Sequence, residues 1–152
     1  MPNPHACDLR KGRRSLPGHT YLVTTVTCDR IPWFHDLRAA RTLICVLYAA
    51  SRHAHTHAFV VMPDHLHWLL RLSGSASLAS VMQEAKSVSS HHINRWLRRR
   101  GPLWQAGFHD HAVRHDESLK AIARYVIDNP IRAGLVQDIG DYPHWDTEWP
   151  PG

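Results

Sequence analysis

Between His55 and Leu72, two β-rich runs are separated only by Met62-Pro63-Asp64. Proline followed by aspartate is turn chemistry, so this segment predicts two antiparallel strands joined tightly. A hairpin in mid-chain admits few folds, and the flanking periodicities narrow them further. Upstream, Tyr21-Leu22-Val23-Thr24-Thr25-Val26-Thr27 is rich in β-branched and aromatic residues and predicts a strand starting near His19. Asp36 is suited to N-cap a helix running to about Arg52, with Leu37, Ala40, Leu43, Ile44, Leu47 and Tyr48 on one face. Downstream, a helix is predicted from about Ser77 to Arg100, with Leu78, Val81, Ala85, Val88, Ile93 and Trp96 as its stripe and Gly101-Pro102 as its end. Phe108 to Arg114 reads as a fourth strand, and Asp116 caps a last helix, Glu117 to Asn129, stopped by Pro130. The order is the β-α-β-β-α-β plan of a split βαβ, or ferredoxin-like, α+β sandwich: an antiparallel sheet with helices on one face plus a C-terminal helix.

Three segments follow from this. Residues 1–18 form a basic arm with Arg10, Lys11, Arg13 and Arg14; residues 19–136 form one domain; residues 137–152 form a tail expected to pack on the surface without regular structure. With 152 residues, 43% of them hydrophobic and 20% charged, the chain can bury a core of its own, which excludes intrinsic disorder. No run approaches the roughly 18–20 apolar residues of a membrane-spanning helix, so no membrane partner is expected. Cys7, Cys28 and Cys45 are odd in number and lack a C-x-x-C spacing, and the N-terminus has no apolar signal region. Packed, unpaired cysteines in a reducing cytoplasm, with nucleoid association, are the expectation. Eighteen Lys+Arg against thirteen Asp+Glu, a net charge of +5, point towards a polyanion, nucleic acid first.

There are fourteen histidines. In a strand, positions i and i+2 share a face, so His65 and His67 stand side by side while Leu66 and Trp68 turn away. Two such imidazoles can hold a divalent cation and leave positions open for a substrate; they can equally be histidines packed over the core or facing solvent. His53, His55 and His57 also alternate, with nothing nearby in sequence to mark them as ligands. On the last helix Tyr125 and Asn129 are four apart and share a face. An Asn carbonyl suits a harder ion such as Mg²⁺ or Mn²⁺, and a phenol beside that ion is a potential nucleophile. The plainer reading makes Tyr125 the border of the Ile122/Val126 stripe and Asn129 a helix-end residue.

Lys86, Arg95, Arg98, Arg99, Arg100, Arg114, Arg124 and Arg132 are candidates for phosphate contacts. A run such as Arg98–Arg100 is equally a solvated helix end favoured by the macrodipole. Trp104 and Phe108 can stack on extruded bases or pack in the core. His109 and His111 flank the expected fourth strand and are further candidates for phosphate or metal.

HAFVVMPDHLHWLLRL, then GPLWQAGFHDHAVR, then YVIDNPIRAGLV, in that order and over roughly residues 19–136, resemble the REP-associated tyrosine transposases. These belong to the single-tyrosine HUH transposases of bacterial insertion sequences. The family usually has asparagine where Asp64 stands, and either residue suits the turn. The resemblance implies that His65 and His67 bind the divalent metal, that Asn129 contributes to it, and that Tyr125 is catalytic. It further implies single-stranded DNA hairpins, the repetitive extragenic palindromes, as substrate, cut and rejoined through a 5′-phosphotyrosine, by a monomer or a homodimer. Two alternatives remain at this level. One is a catalytically silent DNA- or RNA-binding module of the same fold; the other is a hydrolytic zinc enzyme, which leaves Tyr125 and the basic surface unexplained.

Overall fold

Every strand of the sheet runs antiparallel to its neighbours, in the order β4-β1-β3-β2-β5. In this computed structural model, residues 15–16 and 18–151 are described. The strands are β1 (Thr20–Val26), β2 (Ala54–Met62), β3 (His65–Leu72), β4 (His109–Ala112) and β5 (Trp145–Thr147). The helices are α1 (Leu37–Ala49), α2 (Leu78–Leu97), α3 (Leu119–Ile127) and the single turn α4 (Asn129–Arg132). The expected β-α-β-β-α-β order is therefore present, with β3 at the centre of the sheet and only Pro63-Asp64 between β2 and β3.

The two faces of the sheet do different work. Tyr21, Val23, Phe59, Val61, Leu66, Trp68, Leu70 and Leu72 form one buried cluster with the apolar stripes of α1 and α2. Trp68 is fully buried and donates from Nε1 to Thr56 Oγ1 at 2.9 Å, so its indole is satisfied inside the core. On the opposite face Ala58, Val60, Met62 and Leu69 pack against Ala123 and Val126 of α3. Strand alternation puts His65 and His67 on that second face, beneath α3 rather than beneath α1 and α2.

The caps explain where elements start and stop. Asp36 accepts from Ala39 N at 2.8 Å and Ser77 from Ser80 N at 3.1 Å, the expected helix starts. Four boundaries differ from the sequence expectation. α2 ends at Leu97 because Arg98 turns left-handed (φ 52°) and Arg99 N bonds back to Asn94 O, before Gly101-Pro102 is reached. Ser118, not Asp116, caps α3, accepting from Ala121 N at 3.2 Å. α3 stops at Ile127 and Pro130 opens the next helical turn, where its missing N–H costs nothing. The C-terminal segment is not irregular: β5 adds an edge strand to β2. Of the cysteines described, Cys28 is half-buried, Cys45 is exposed, and both are free thiols.

Candidate functional site

The His65 and His67 rings lie 4.9 Å apart between centroids and nearly perpendicular, at 86°. Each has its Nδ1 engaged. His65 Nδ1 donates to Asp64 Oδ1 at 2.6 Å, and His67 Nδ1 meets Thr24 Oγ1 at 2.8 Å, Thr24 being its cross-strand partner on β1. With both Nδ1 atoms occupied, Nε2 is the nitrogen left on each ring to bind a cation, the arrangement in which an outer partner orients a metal-binding histidine. Burial alone would raise the Asp64 carboxyl, but the hydrogen bond and charge of His65, then those of Arg30 at 3.4 Å, outweigh it and hold it below the ordinary carboxylate value. Asp64 is thus an anion in contact with His65 as well as a turn residue. His67 is pushed down to about 4, first by burial and then by the charges of His65 and Arg132. At neutral pH it is the uncharged imidazole a metal ion requires.

α3 packs on β2 and β3 and carries Tyr125 over this face. Tyr125 is 58% exposed. The other three tyrosine hydroxyls are committed. Tyr21 is buried and accepts from Leu16 N; Tyr48 donates to Asp146 Oδ2 at 2.5 Å; Tyr142 donates to Val61 O at 2.5 Å. Burial first, aided by Asp146, pushes Tyr48 up to about 12, and burial does the same to Tyr142. The Arg132 guanidinium sits over the Tyr125 ring, 3.9 Å from its centroid, and donates to the Tyr125 carbonyl at 2.7 Å. Beside Tyr125 a groove of about 360 Å³ is lined by Leu22, His111, Glu117, Ser118, Ala121 and Ile122.

Asn129 lies one residue beyond the break in α3, yet it still folds back on that helix. Its Nδ2 donates to Val126 O at 2.9 Å and Tyr125 O at 3.4 Å, which leaves the amide oxygen as the atom available to a cation. The two imidazoles, each with Nε2 open, fit a divalent ion that keeps further positions for other ligands, water and phosphate oxygens. His109 and His111 of β4 share this sheet face, opposite Thr24 and Leu22, and His111 Nε2 meets Glu117 Oε1 at 3.0 Å.

The other sequence candidates divide clearly. Arg95, Arg98, Arg100, Arg114, Arg124 and Arg132 are exposed; Arg114 lies 3.5 Å from Glu117, and Arg124 lies 3.8 Å from Asp128. Arg99 is half-buried, bonded to Asn94 Oδ1 at 2.5 Å and stacked on Trp33. One expectation needs correction, and for two other candidates the core alternative holds. Lys86 is not offered to a phosphate: its Nζ donates to the carbonyls of Gln105 and Gly107, both at 2.7 Å, and ties down that loop. Trp104 and Phe108 belong to the core, buried to 6% and 5% exposure, and Trp104 Nε1 donates to Ser89 Oγ at 3.0 Å. Arg10, Lys11, Arg13 and Arg14 lie outside the described residues.

Two features escaped the sequence. Thr24 and Arg132 touch His67 and Tyr125 only because of strand register and the turn after α3. His55, His57 and Glu148 also converge, with donor atoms all within 4.8 Å, a group that can hold a metal ion; only the alternation of the histidines hinted at it. Among the described residues no helix is long and apolar enough to cross a membrane.

Comparison with known proteins places this geometry in context. The family described as "Transposase IS200 like" matches residues 15–129. A REP-associated tyrosine transposase of Escherichia coli is 29% identical, over 73% of this chain and 73% of its own. A Haemophilus influenzae protein assigned to the same REP-associated group is 26% identical, over 84% of this chain and 78% of its own. Among solved structures, a REP-associated tyrosine transposase bound to a REP hairpin superposes with a TM-score of 0.74 at 23% identity, covering 88% of this chain and 79% of that one.

Proposed function

Because the chain belongs to the IS200-like transposase family, we propose that it cuts and rejoins single-stranded DNA folded into hairpins such as repetitive extragenic palindromes. Tyr125 is the nucleophile in this reading, and His65, His67 and Asn129 hold a divalent cation, Mg²⁺ or Mn²⁺. The observation that carries it is the pair of pre-oriented imidazoles on the sheet face covered by the helix of the most exposed tyrosine. When bound, the cation supplies a Lewis acid for an oxygen of the scissile phosphate.

The protein's own part is positioning and nucleophilic attack. The Tyr125 phenol loses its proton and its oxygen attacks phosphorus in line. The bond from phosphorus to the 3′ oxygen breaks, a 5′-phosphotyrosine forms, and the departing oxygen takes up a proton as a 3′-OH. Attack by a 3′-OH on that ester reverses the step and joins strands, so no nucleotide is consumed. Arg132 fixes the Tyr125 ring and keeps a positive charge beside it. The groove between α3 and β4 offers space for the strand next to the nucleophile.

In the same reading, residues 19–136 process the DNA, and the arm of residues 1–18, with Arg10, Lys11, Arg13 and Arg14, follows the phosphate backbone. Arg95, Arg98, Arg99, Arg100, Arg114 and Arg124 add phosphate contacts that make affinity fall with salt. The relatives named for REP association and the hairpin-bound neighbour support the choice of substrate. Incubation with a labelled hairpin oligonucleotide and Mn²⁺, resolved on a denaturing gel, tests the proposal. Wild type yields a protein–DNA adduct, and Tyr125→Phe yields none while still binding the hairpin. A Phe variant that cuts and joins DNA normally overturns it.

A further inference from the structure

β2 carries one residue too many for its partner: the register with β3 shifts between Thr56 and Ala58, and His57 is the extra residue. The bulge keeps His55 and His57 together on the α3 side of the sheet while Ala54 and Thr56 serve the other core. The His55 and His57 rings sit 4.9 Å apart, edge to face at 76°. On the other side of β2, β5 pairs Ala58 with Thr147, and Glu148 N donates to His57 O at 3.0 Å, extending the ladder by one step. Glu148 is thereby set against both rings. Its Oε1 meets His55 Nε2, and its Oε2 meets His57 Nδ1 at 2.6 Å.

The ring of His57 is held on its far side as well. It stacks on Trp149 at 5.7 Å and 24°, and its Nε2 is buried without a partner, so Nδ1 is the nitrogen that reaches outward. His57 is 6% exposed, whereas His55 and Glu148 reach solvent. This is a rigid inner ligand with two outer ligands that solvent ions can reach. Two imidazoles and one carboxylate form a donor set typical of Zn²⁺, with a fourth position left to water.

We propose that His55, His57 and Glu148 form a zinc site that fastens the C-terminal strand β5 to the edge of β2, separate from the His65–His67 pair. β5 is only three residues long, and an ion bridging β2 to the residue after β5 would add to the ties already there, such as the ladder to β2 and the bond from Tyr48 to Asp146. The two sites share a sheet face but lie at opposite ends of the β2–β3 hairpin. His55 pairs with Arg71, six residues from His65; His57, opposite Leu69–Leu70, comes closer to His67, yet neither His65 nor His67 is among the residues whose donor atoms converge with Glu148. One ion cannot serve both.

The test uses the full chain, freed of any affinity tag and stripped with chelator. Zinc binding is measured by chelator competition and thermal unfolding, in a His65→Ala/His67→Ala background that removes the other pair. One equivalent of Zn²⁺ is expected to bind and to raise the unfolding midpoint by roughly 5 °C, whereas millimolar Mg²⁺ has no such effect. Adding Glu148→Gln, which keeps a hydrogen-bonding side chain, or His55→Ala, at an exposed position, is expected to weaken zinc at least about tenfold and abolish the shift. Circular dichroism confirms that these variants fold. Absence of zinc binding in the background, or binding unchanged by both substitutions, overturns the proposal and leaves the role of Tyr125 untouched.

Discussion

Arg132 lies over the ring of Tyr125, 3.9 Å from its centroid, and also bonds the Tyr125 carbonyl at 2.7 Å. The same guanidinium helps to push His67 down. One side chain from the turn after α3 therefore spans the proposed nucleophile and the proposed metal ligand. Removing it should loosen the Tyr125 ring without unfolding the protein, since an exposed cation–π pair contributes about 0.5–1 kcal/mol. Arg132→Ala is expected to slow single-turnover adduct formation roughly fivefold to tenfold, and Arg132→Lys, which keeps the charge, should recover part of the rate.

The partners of the imidazoles make a separate prediction. Asp64 and Thr24 orient His65 and His67, and loss of such partners typically costs 10–100-fold in metal affinity. Asp64→Ala and Thr24→Val should each raise the Mn²⁺ concentration for half-maximal adduct formation by about that factor. Saturating metal should restore the rate. A titration of adduct yield against metal checks both.

Acid should weaken the metal-free fold. His67 is neutral in the folded protein, with its value near 4 against an ordinary 6.5. As pH falls, the unfolded chain takes up this proton first, so the stability is complete above about 6.5 and is lost on the way down to about 4. In chelator, unfolding free energy should be about 2 kcal/mol lower at pH 5 than at pH 7.5 from this group. Burial, then Arg41, also lowers His144, which adds a loss of the same sign. Urea titrations of wild type and His67→Asn should show a shallower pH slope for the variant.

Trp104 tests the division between core and interface. Its burial and its bond to Ser89 predict that Trp104→Leu destabilises the fold by about 2–4 kcal/mol. Hairpin affinity of the folded fraction should stay within about twofold, whereas loss of a base-stacking ring costs about 1–3 kcal/mol of binding. Thermal unfolding and filter binding on the same variant separate the two.

How much of this the sequence carried depended on the range of each interaction. Asp36 and Ser77 announce their helices because a cap acts within three residues, and His65 and His67 share a face because alternation is local. The end of α3 was not legible: Pro130 reads as a stop, but its ring suits the first turn of a new helix equally well, so Asn129 begins α4. Thr24 and His67 are 43 residues apart, and His55 and Glu148 are 93 apart. Their meetings depend on strand register and on a bulge at His57, which no periodicity announces. Trp104 lies in the irregular stretch between α2 and β4, where neither strand nor helix period indicates which way a ring turns.

The chemistry itself comes down to one atom. The adduct formed with a hairpin oligonucleotide can be digested and the modified peptide sequenced by mass spectrometry. A nucleotide joined through its 5′ phosphate to Tyr125 is the predicted result. A modification on Tyr48, on another residue, or no covalent DNA at all under conditions where the hairpin is cut, would contradict it.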